Sequence, residues 1–313
     1  RIITGGGPND IRFQQHFPDS TRKCVKCPTC LQHIHSQCLL SKESLVRPHK
    51  DCTQNGTGAL CSRSVYECPN TGVFFTHPSL SGEELDHMYH TEYKGQAKLS
   101  LNSGRVTAQF NFIQRNIITN EAYVLGRNIS VLEIGCANAY LLQRLAPWYS
   151  NVTCFEPSPI LSAKAKEELM KTKNSSDWSV TVHPTNWDES QVTPESIDLF
   201  VSSHVLEHIS DLCMFFTQLY SKMKPGGAVF SEVPNHTRDY VNSTFGGQFH
   251  VTLFNVRGWI LMMEGVGFEL MVLETTGGAE SPLPNGYHIR AIFTKPGHAS
   301  QTRNSKIRGG MSE

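Results

Sequence analysis

VLEIGCANAYLLQRL, residues 131–145, passes from an apolar strand through a glycine turn into a helix. An apolar run carries a carboxylate, Glu133, just before its end. It turns through Gly135-Cys136-Ala137-Asn138-Ala139 and continues with the spacing of an amphipathic helix. A strand that turns through glycine into a helix is the unit of an open parallel sheet. Ligands of such sheets lie beyond the carboxyl ends of the strands, near the point where strand order reverses. Gly135 falls at that position. Free N–H groups where a helix opens favour an anion, and the small residues Gly135, Ala137 and Ala139 let a ligand approach the backbone. The next apolar run, VTCFE (152–156), ends in Glu156, 21 residues after Gly135. A carboxylate at that place can take both hydroxyls of a ribose. Two carboxylates and a small-residue turn thus outline a site for an adenosine-like cofactor. The bland reading, a turn that merely connects strand to helix, stands beside it.

Outward from this stretch, strands and helices alternate. SVLEI (130–134), VTCFE, WSVTVH (178–183), SIDLFVSS (196–203) and AVFSEVP (228–234) read as strands. Helical patterns lie between them in ANAYLLQRLA, SPILSAKAKEELMK and around DLCMFFTQLYSKM. The KPGG segment reads as a turn into the fifth strand. A further helix near 255–265 precedes GFELMVLET and HIRAIFTK, which read as a closing antiparallel hairpin. The expected fold class is α/β: a Rossmann-like, mostly parallel seven-stranded sheet with helices on both faces. A small Cys-rich segment precedes it. Residues 1–23 read as a flexible leader, 24–95 as the Cys-rich segment with a linking helix, 96–296 as the sheet domain and 297–313 as a disordered tail. Residues 97–125 are expected to form one or two helices.

The chain of 313 residues has 28 basic and 28 acidic side chains. That balance gives no general attraction to nucleic acid or anionic membrane. No apolar stretch of roughly 18 residues is present, so no membrane span is expected. Seven of the ten cysteines lie between Cys24 and Cys68. A segment this rich in Cys, His, Pro and Gly needs cross-linking by metal or disulfide. CVKCPTC places Cys24, Cys27 and Cys30 at successive two-residue gaps, a spacing that turns thiolates into one tetrahedral zinc site; Cys68 is a further candidate ligand. Disulfides are the alternative. Six Asn-x-Ser/Thr sequons, at Asn55, Asn128, Asn151, Asn174, Asn235 and Asn242, suit a secretory-pathway lumen. Zinc and a cytoplasmic location are preferred, because a glycan at Asn235 would crowd the proposed site and Asn151 abuts a strand. Nothing in the sequence fixes the oligomeric state.

VLEIGCANAYLLQRL, FEPS, SIDLFVSSHVLEHI, MKPGGAVFSEVPN and GFE occur in order. Together they resemble the class I S-adenosylmethionine-dependent methyltransferases, in the group with a Leu-Glu-His segment after strand four. The resemblance covers about residues 95–296. It implies S-adenosylmethionine as cofactor, with Glu133 reaching the methionine ammonium and Gly135, Cys136 and Ala137 against the methionine moiety. It implies Glu156 on the ribose and Asn186 and Trp187 near the adenine, with His204 at the edge of the site. The family usually has Gly-x-Gly-x-Gly in the turn. Alanine at 137 and 139 is tolerable there if φ is negative and costly if φ is positive. YECPNTGVFFTHPSL also resembles the end of a zinc ribbon that opens many bacterial methyltransferases, with Thr71 where the second cysteine of the last pair would stand.

A sulfonium methyl is already activated, so transfer needs alignment and exclusion of water, and for a hydroxyl acceptor a base. His204, His208 and His250 are the candidate catalytic residues. His204 and His208 are four apart and share a face if their segment is helical. In the resembled group the histidine of Leu-Glu-His often holds loops. His250 resembles a histidine near the acceptor pocket. His236 reads as a solvated loop histidine. The expected reaction is methyl transfer to a small molecule, most simply onto oxygen of a sugar or other metabolite. Rival readings are a methyltransferase fold kept only as a binding scaffold, a dinucleotide oxidoreductase, and a protein methyltransferase whose front segment docks the partner.

Overall fold

The computed structural model describes residues 64–68, 71–77, 83–84, 103–119, 129–172, 178–236, 250–276 and 286–297. Within them the strands are β1 (Ser64–Glu67), β2 (Phe74–His77), β3 (Ile129–Ile134), β4 (Tyr149–Phe155), β5 (Ser179–His183), β6 (Ile197–Ser203), β7 (Met223–Pro234), β8 (Thr252–Leu253), β9 (Glu269–Thr276) and β10 (His288–Thr294). The helices are α1 (Gly104–Ile113), α2 (Tyr140–Leu145), α3 (Pro159–Thr172), α4 (Leu212–Lys222) and α5 (Val256–Val266).

Seven strands form one sheet in the order β5-β4-β3-β6-β7-β10-β9. The five central and left-hand strands run parallel. The closing hairpin is antiparallel: β10 pairs with both β7 and β9. Strand order reverses between β3 and β6, so the crevice expected at a switch point opens at their carboxyl ends.

The central strands read as continuous apolar runs because both faces are covered. Alternate residues serve opposite layers. Val131, Leu199, Val201 and Phe230 face a layer with Phe112 of α1, Leu142 of α2 and Leu169 of α3. Leu132, Phe200 and Val229 face Phe216 of α4 and Trp259 and Met263 of α5. Polar caps start the helices: Ser103 Oγ accepts from Val106 N, Asp211 Oδ1 from Met214 N and Asn255 Oδ1 from Gly258 N. Gly267, at φ +112°, ends α5.

Two expectations change. The helix after the 135–139 turn is short: α2 has six residues and passes into a 3-10 turn at Ala146–Trp148, where Pro147 enters. The KPGG segment is already part of β7. It joins the ladder through Gly226 N, which donates to Lys295 O, and Lys295 N, which donates to Gly227 O, just past β10. Of residues 97–125, α1 occupies 104–113 and continues as one π-type turn over Gln114–Ile118.

Part of the Cys-rich front is described. β1 and β2 form a hairpin, and β2 pairs with β8 from the far end of the chain. Asn255 Nδ2 donates to Thr71 O at 3.1 Å. Gly258 of α5 lies so close to Val73 that a Cβ there would sit 2.0 Å from its Cγ2. The hairpin is therefore seated on the α5 side of the main domain.

Candidate active site

The turn after β3 is fixed from several directions. Gly135 N donates to Phe155 O at 2.7 Å. Gly135 has φ +63°, and a Cβ on it would meet Val205 Cγ2 at 2.3 Å, so only glycine fits. Ala137 and Ala139 have φ of +47° and +55°. The condition set by the sequence is thus met on its costly side, at roughly 1–2 kcal/mol for each L-residue held there. The strain is held by neighbours. Ala137 N donates to Glu156 Oε2 at 2.9 Å, and Ala139 N to Cys136 O at 2.6 Å. Cys136 is bonded to Cys154 of β4 in a disulfide with Cα atoms 6.2 Å apart.

Glu156 closes the other side. Its second oxygen accepts from Ser158 N at 3.0 Å. Burial raises its pKa, and the two N–H donors oppose the rise. Glu133 lies deeper, 4% exposed, with Oε2 lacking any hydrogen-bond partner. Burial, then the charge of Glu156, pushes its pKa up to about 8. A buried carboxylate oxygen without a donor is expensive to keep. An arriving cation or N–H group would relieve it, and Glu156 retains lone pairs for hydroxyl donors. These residues fit a ligand with a cationic end and a diol.

Trp187 packs edge-on to Phe155 and Phe215, its Nε1 donating to Gln218 Oε1 at 3.0 Å. Asn186 beside it is exposed. A flat ring the sequence did not single out, His183 at the end of β5, stacks on Phe155 at 4.5 Å.

Across the crevice, His204 follows β6 with φ +55°, its N–H donating to Glu232 O at 2.9 Å. Only Leu206–His208 form a helical turn, so His204 and His208 do not share a helix face. They converge on the fully buried Glu207 instead. His204 Nδ1 lies 3.4 Å from Glu207 Oε1, His250 Nε2 3.7 Å and His208 Nε2 4.0 Å. His250 arrives because Val251 N donates to Glu207 O at 2.8 Å. The other ring nitrogen of His204, Nε2, lies 3.4 Å from Glu232 Oε1. Glu232 in turn accepts from Arg290 Nε and Gln109 Nε2, each at 2.7 Å. Burial alone would lower the pKa of His204, yet Glu207 and Glu232 raise it to about 9. For His250, burial outweighs Glu207 and takes it down to about 3.

His236 is corrected. It is 3% exposed, with its ring 5.8 Å from that of His250. The physical reason is that His236 N donates to Phe254 O, which draws the end of β7 under the 250–254 segment. Asn235 is buried too, its amide donating to Gly286 O, which leaves no room there for a glycan. The sequence reading also missed Glu232, Arg290 and His288. Glu232 carried the same signal as Glu133, a carboxylate inside an apolar strand. Arg290 and His288 gave none, since only strand pairing brings them near. Of the four expected metal-ligating cysteines, Cys24, Cys27 and Cys30 lie outside the described residues. Cys68 is buried at a tight turn where Gly72 N donates to Cys68 O and Cys68 N to Val73 O.

The ubiquinone biosynthesis O-methyltransferase of Methylobacterium sp. is 27% identical over 135 residues, which are 42% of this chain and 49% of that protein. The mitochondrial ubiquinone biosynthesis O-methyltransferase of Mus musculus is 26% identical over 175 residues, 50% of this chain and 42% of that one. The chain spans about half or less of the length of these curated relatives. An S-adenosylmethionine-dependent methyltransferase structure from Mesorhizobium loti aligns over 62% of this chain and 100% of that one, with 11% identity and a TM-score of 0.48. The family profile described as a methyltransferase domain matches residues 107–273, more than half of the chain and the span that carries β3 to β8 and the start of β9, with both carboxylates and the histidine group. The chain belongs to that methyltransferase-domain family.

Proposed function

We propose that the protein transfers the methyl group of S-adenosylmethionine to a hydroxyl oxygen of a small molecule. The observation that carries this reading is the pairing of Glu133 and Glu156 at the ends of adjacent strands, one with an unpartnered buried oxygen and the other clamping the turn. When bound, the cofactor supplies an activated sulfonium methyl. Glu133 meets the methionine ammonium, the Gly135–Ala137 backbone lies along the methionine moiety, and Glu156 accepts from the ribose hydroxyls. Trp187 and His183 wall the adenine side. The group of His204, Glu207, His208 and His250 holds the acceptor hydroxyl, and the uncharged His250 receives its proton as the sulfur–methyl bond breaks and the new C–O bond forms. Most of the acceleration comes from alignment in a crevice closed to water. Oxygen as the acceptor atom is supported by the names of the curated relatives, which are O-methyltransferases.

Calorimetric titration with S-adenosylmethionine and S-adenosylhomocysteine tests the cofactor assignment. Micromolar binding is expected, weakened at least tenfold in Glu156→Ala, which removes both the ribose acceptor and the tether on Ala137. A folded wild-type protein that binds neither compound overturns the proposal and leaves the scaffold reading. Transfer of labelled methyl to phenols, sugars and other hydroxyl compounds then identifies the acceptor.

A further inference from the structure

Arg105 is the second residue of α1, a helix with no acidic side chain in its first turn. The unpaired N–H groups at a helix start disfavour a cation, so local structure gives no reason for an arginine there. Its placement is set one turn later. Residues four apart lie on one helix face. Gln109, four residues on, is buried, and its Nε2 donates to Ser203 Oγ and to Glu232 Oε1, each at 2.7 Å. Those bonds lay α1 across the ends of β6 and β7 and bring Arg105 to the His204 side of the crevice.

Glu232 has its partners without Arg105. It accepts from Arg290 Nε and Gln109 Nε2, and His204 Nε2 stands 3.4 Å away. Arg105 Nε stops at 4.0 Å from Glu232 Oε1, beyond a hydrogen bond. Among the described residues that is its nearest acidic group. The charges are already matched. Glu207 and Glu232 face His204, which the two carboxylates keep protonated, and Arg290. Glu274 also takes Arg290, and it has Arg115 as a partner of its own. Arg105 is the surplus cation of the group. With 38% of its side chain exposed, against 7% for Arg290, it is also the one a ligand can reach. His288 completes this wall, its ring edge-on to His204 at 4.8 Å. Burial, then the charge of His204, keeps His288 uncharged. Its Nδ1 is buried without a partner, which a bound polar group would supply.

We propose that Arg105 anchors a carboxylate carried by the methyl acceptor, so that the substrate is a hydroxy acid rather than a neutral alcohol or phenol. A guanidinium presents its N–H groups as a planar fork that matches a carboxylate, and such charge-assisted bonds are the strong ones. The inference rests on the methyl-transfer reading and adds the class of acceptor to it.

The test uses the full chain. Calorimetry with S-adenosylhomocysteine comes first, followed by transfer of labelled methyl from S-adenosylmethionine to aromatic, aliphatic and sugar hydroxy acids, each beside its neutral amide: 3-hydroxyphenylacetate, 3-hydroxybutyrate and glucuronate. An acid is expected to exceed its amide at least tenfold in kcat/KM. Arg105→Gln should erase that preference through KM, with kcat and S-adenosylhomocysteine affinity kept, and Arg105→Lys should restore part of it. Arg105 is exposed, so its variants keep the fold, as checked by circular dichroism. Amides used as well as acids, a preference that survives Arg105→Gln, or a protein that binds S-adenosylhomocysteine yet methylates none of the acids would each overturn the anchor. Absence of S-adenosylhomocysteine binding is a separate result, which overturns the methyl-transfer reading and the anchor with it.

Discussion

Ala137 and Ala139 occupy backbone that glycine adopts freely, and Glu133 sits uncharged where the cofactor's cation is expected. Both have measurable consequences at the scale of single residues. Ala137→Gly relieves strain but adds freedom to the unfolded chain. The net gain expected is a few tenths to about 1 kcal/mol, read as a higher urea midpoint with cofactor affinity preserved. Glu133 has a folded-state pKa of about 8 against an ordinary 4.5. Between those values the folded protein without cofactor holds a proton that the unfolded chain has released. The stability Glu133 allows is therefore complete below about pH 4.5 and lost progressively as pH rises to about 8. Cofactor binding, which favours the charged carboxylate, should release a proton in that window. Calorimetry in two buffers of different ionisation enthalpy measures the release, and Glu133→Gln should abolish it.

At the scale of elements, the turn and the two adjoining strands form a closed unit. Gly135 leaves room for Val205, Glu156 ties Ala137, and the Cys136–Cys154 bridge ties β4 to the turn. Replacing both cysteines by alanine frees a closed loop with a sequence separation of 18, an expected loss of about 3 kcal/mol. Denaturant unfolding with and without reductant reads that loss. The hairpin of β1 and β2 packs closely on α5 at Gly258. Gly258→Ala puts a methyl into Val73 and is expected to cost about 1–3 kcal/mol, with protease sensitivity appearing first at the hairpin.

For the whole molecule, the antiparallel hairpin does more than close the sheet. It delivers Arg290 beneath the histidine group, where Arg290 bonds Glu232 and Glu274 and lies over the ring of Phe112. Through Glu232 it joins α1, by way of Gln109, to His204. Arg290→Met leaves Glu232 buried without its main cation, and a loss of about 3–5 kcal/mol is expected in thermal or urea unfolding. Glu232→Gln with Arg290→Met should recover much of it.

The alternation of strand and helix, the switch point at Gly135, and the carboxylates Glu133 and Glu156 near the ends of β3 and β4 were legible in the sequence. Those features are local: an apolar run of fixed period and a turn residue act within a few positions, so they are legible along the chain. It also supplied His204, His208 and His250 as candidates, but not their arrangement. Folding alone brings Glu207 to their centre, buries His236 against them, and sets Arg290 and His288 nearby. It alone decided the sign of φ at Ala137 and Ala139. The physical reason is the same in each case. A parallel sheet brings strand ends together by register across residues far apart in the chain, and no local period records which partner a side chain will meet.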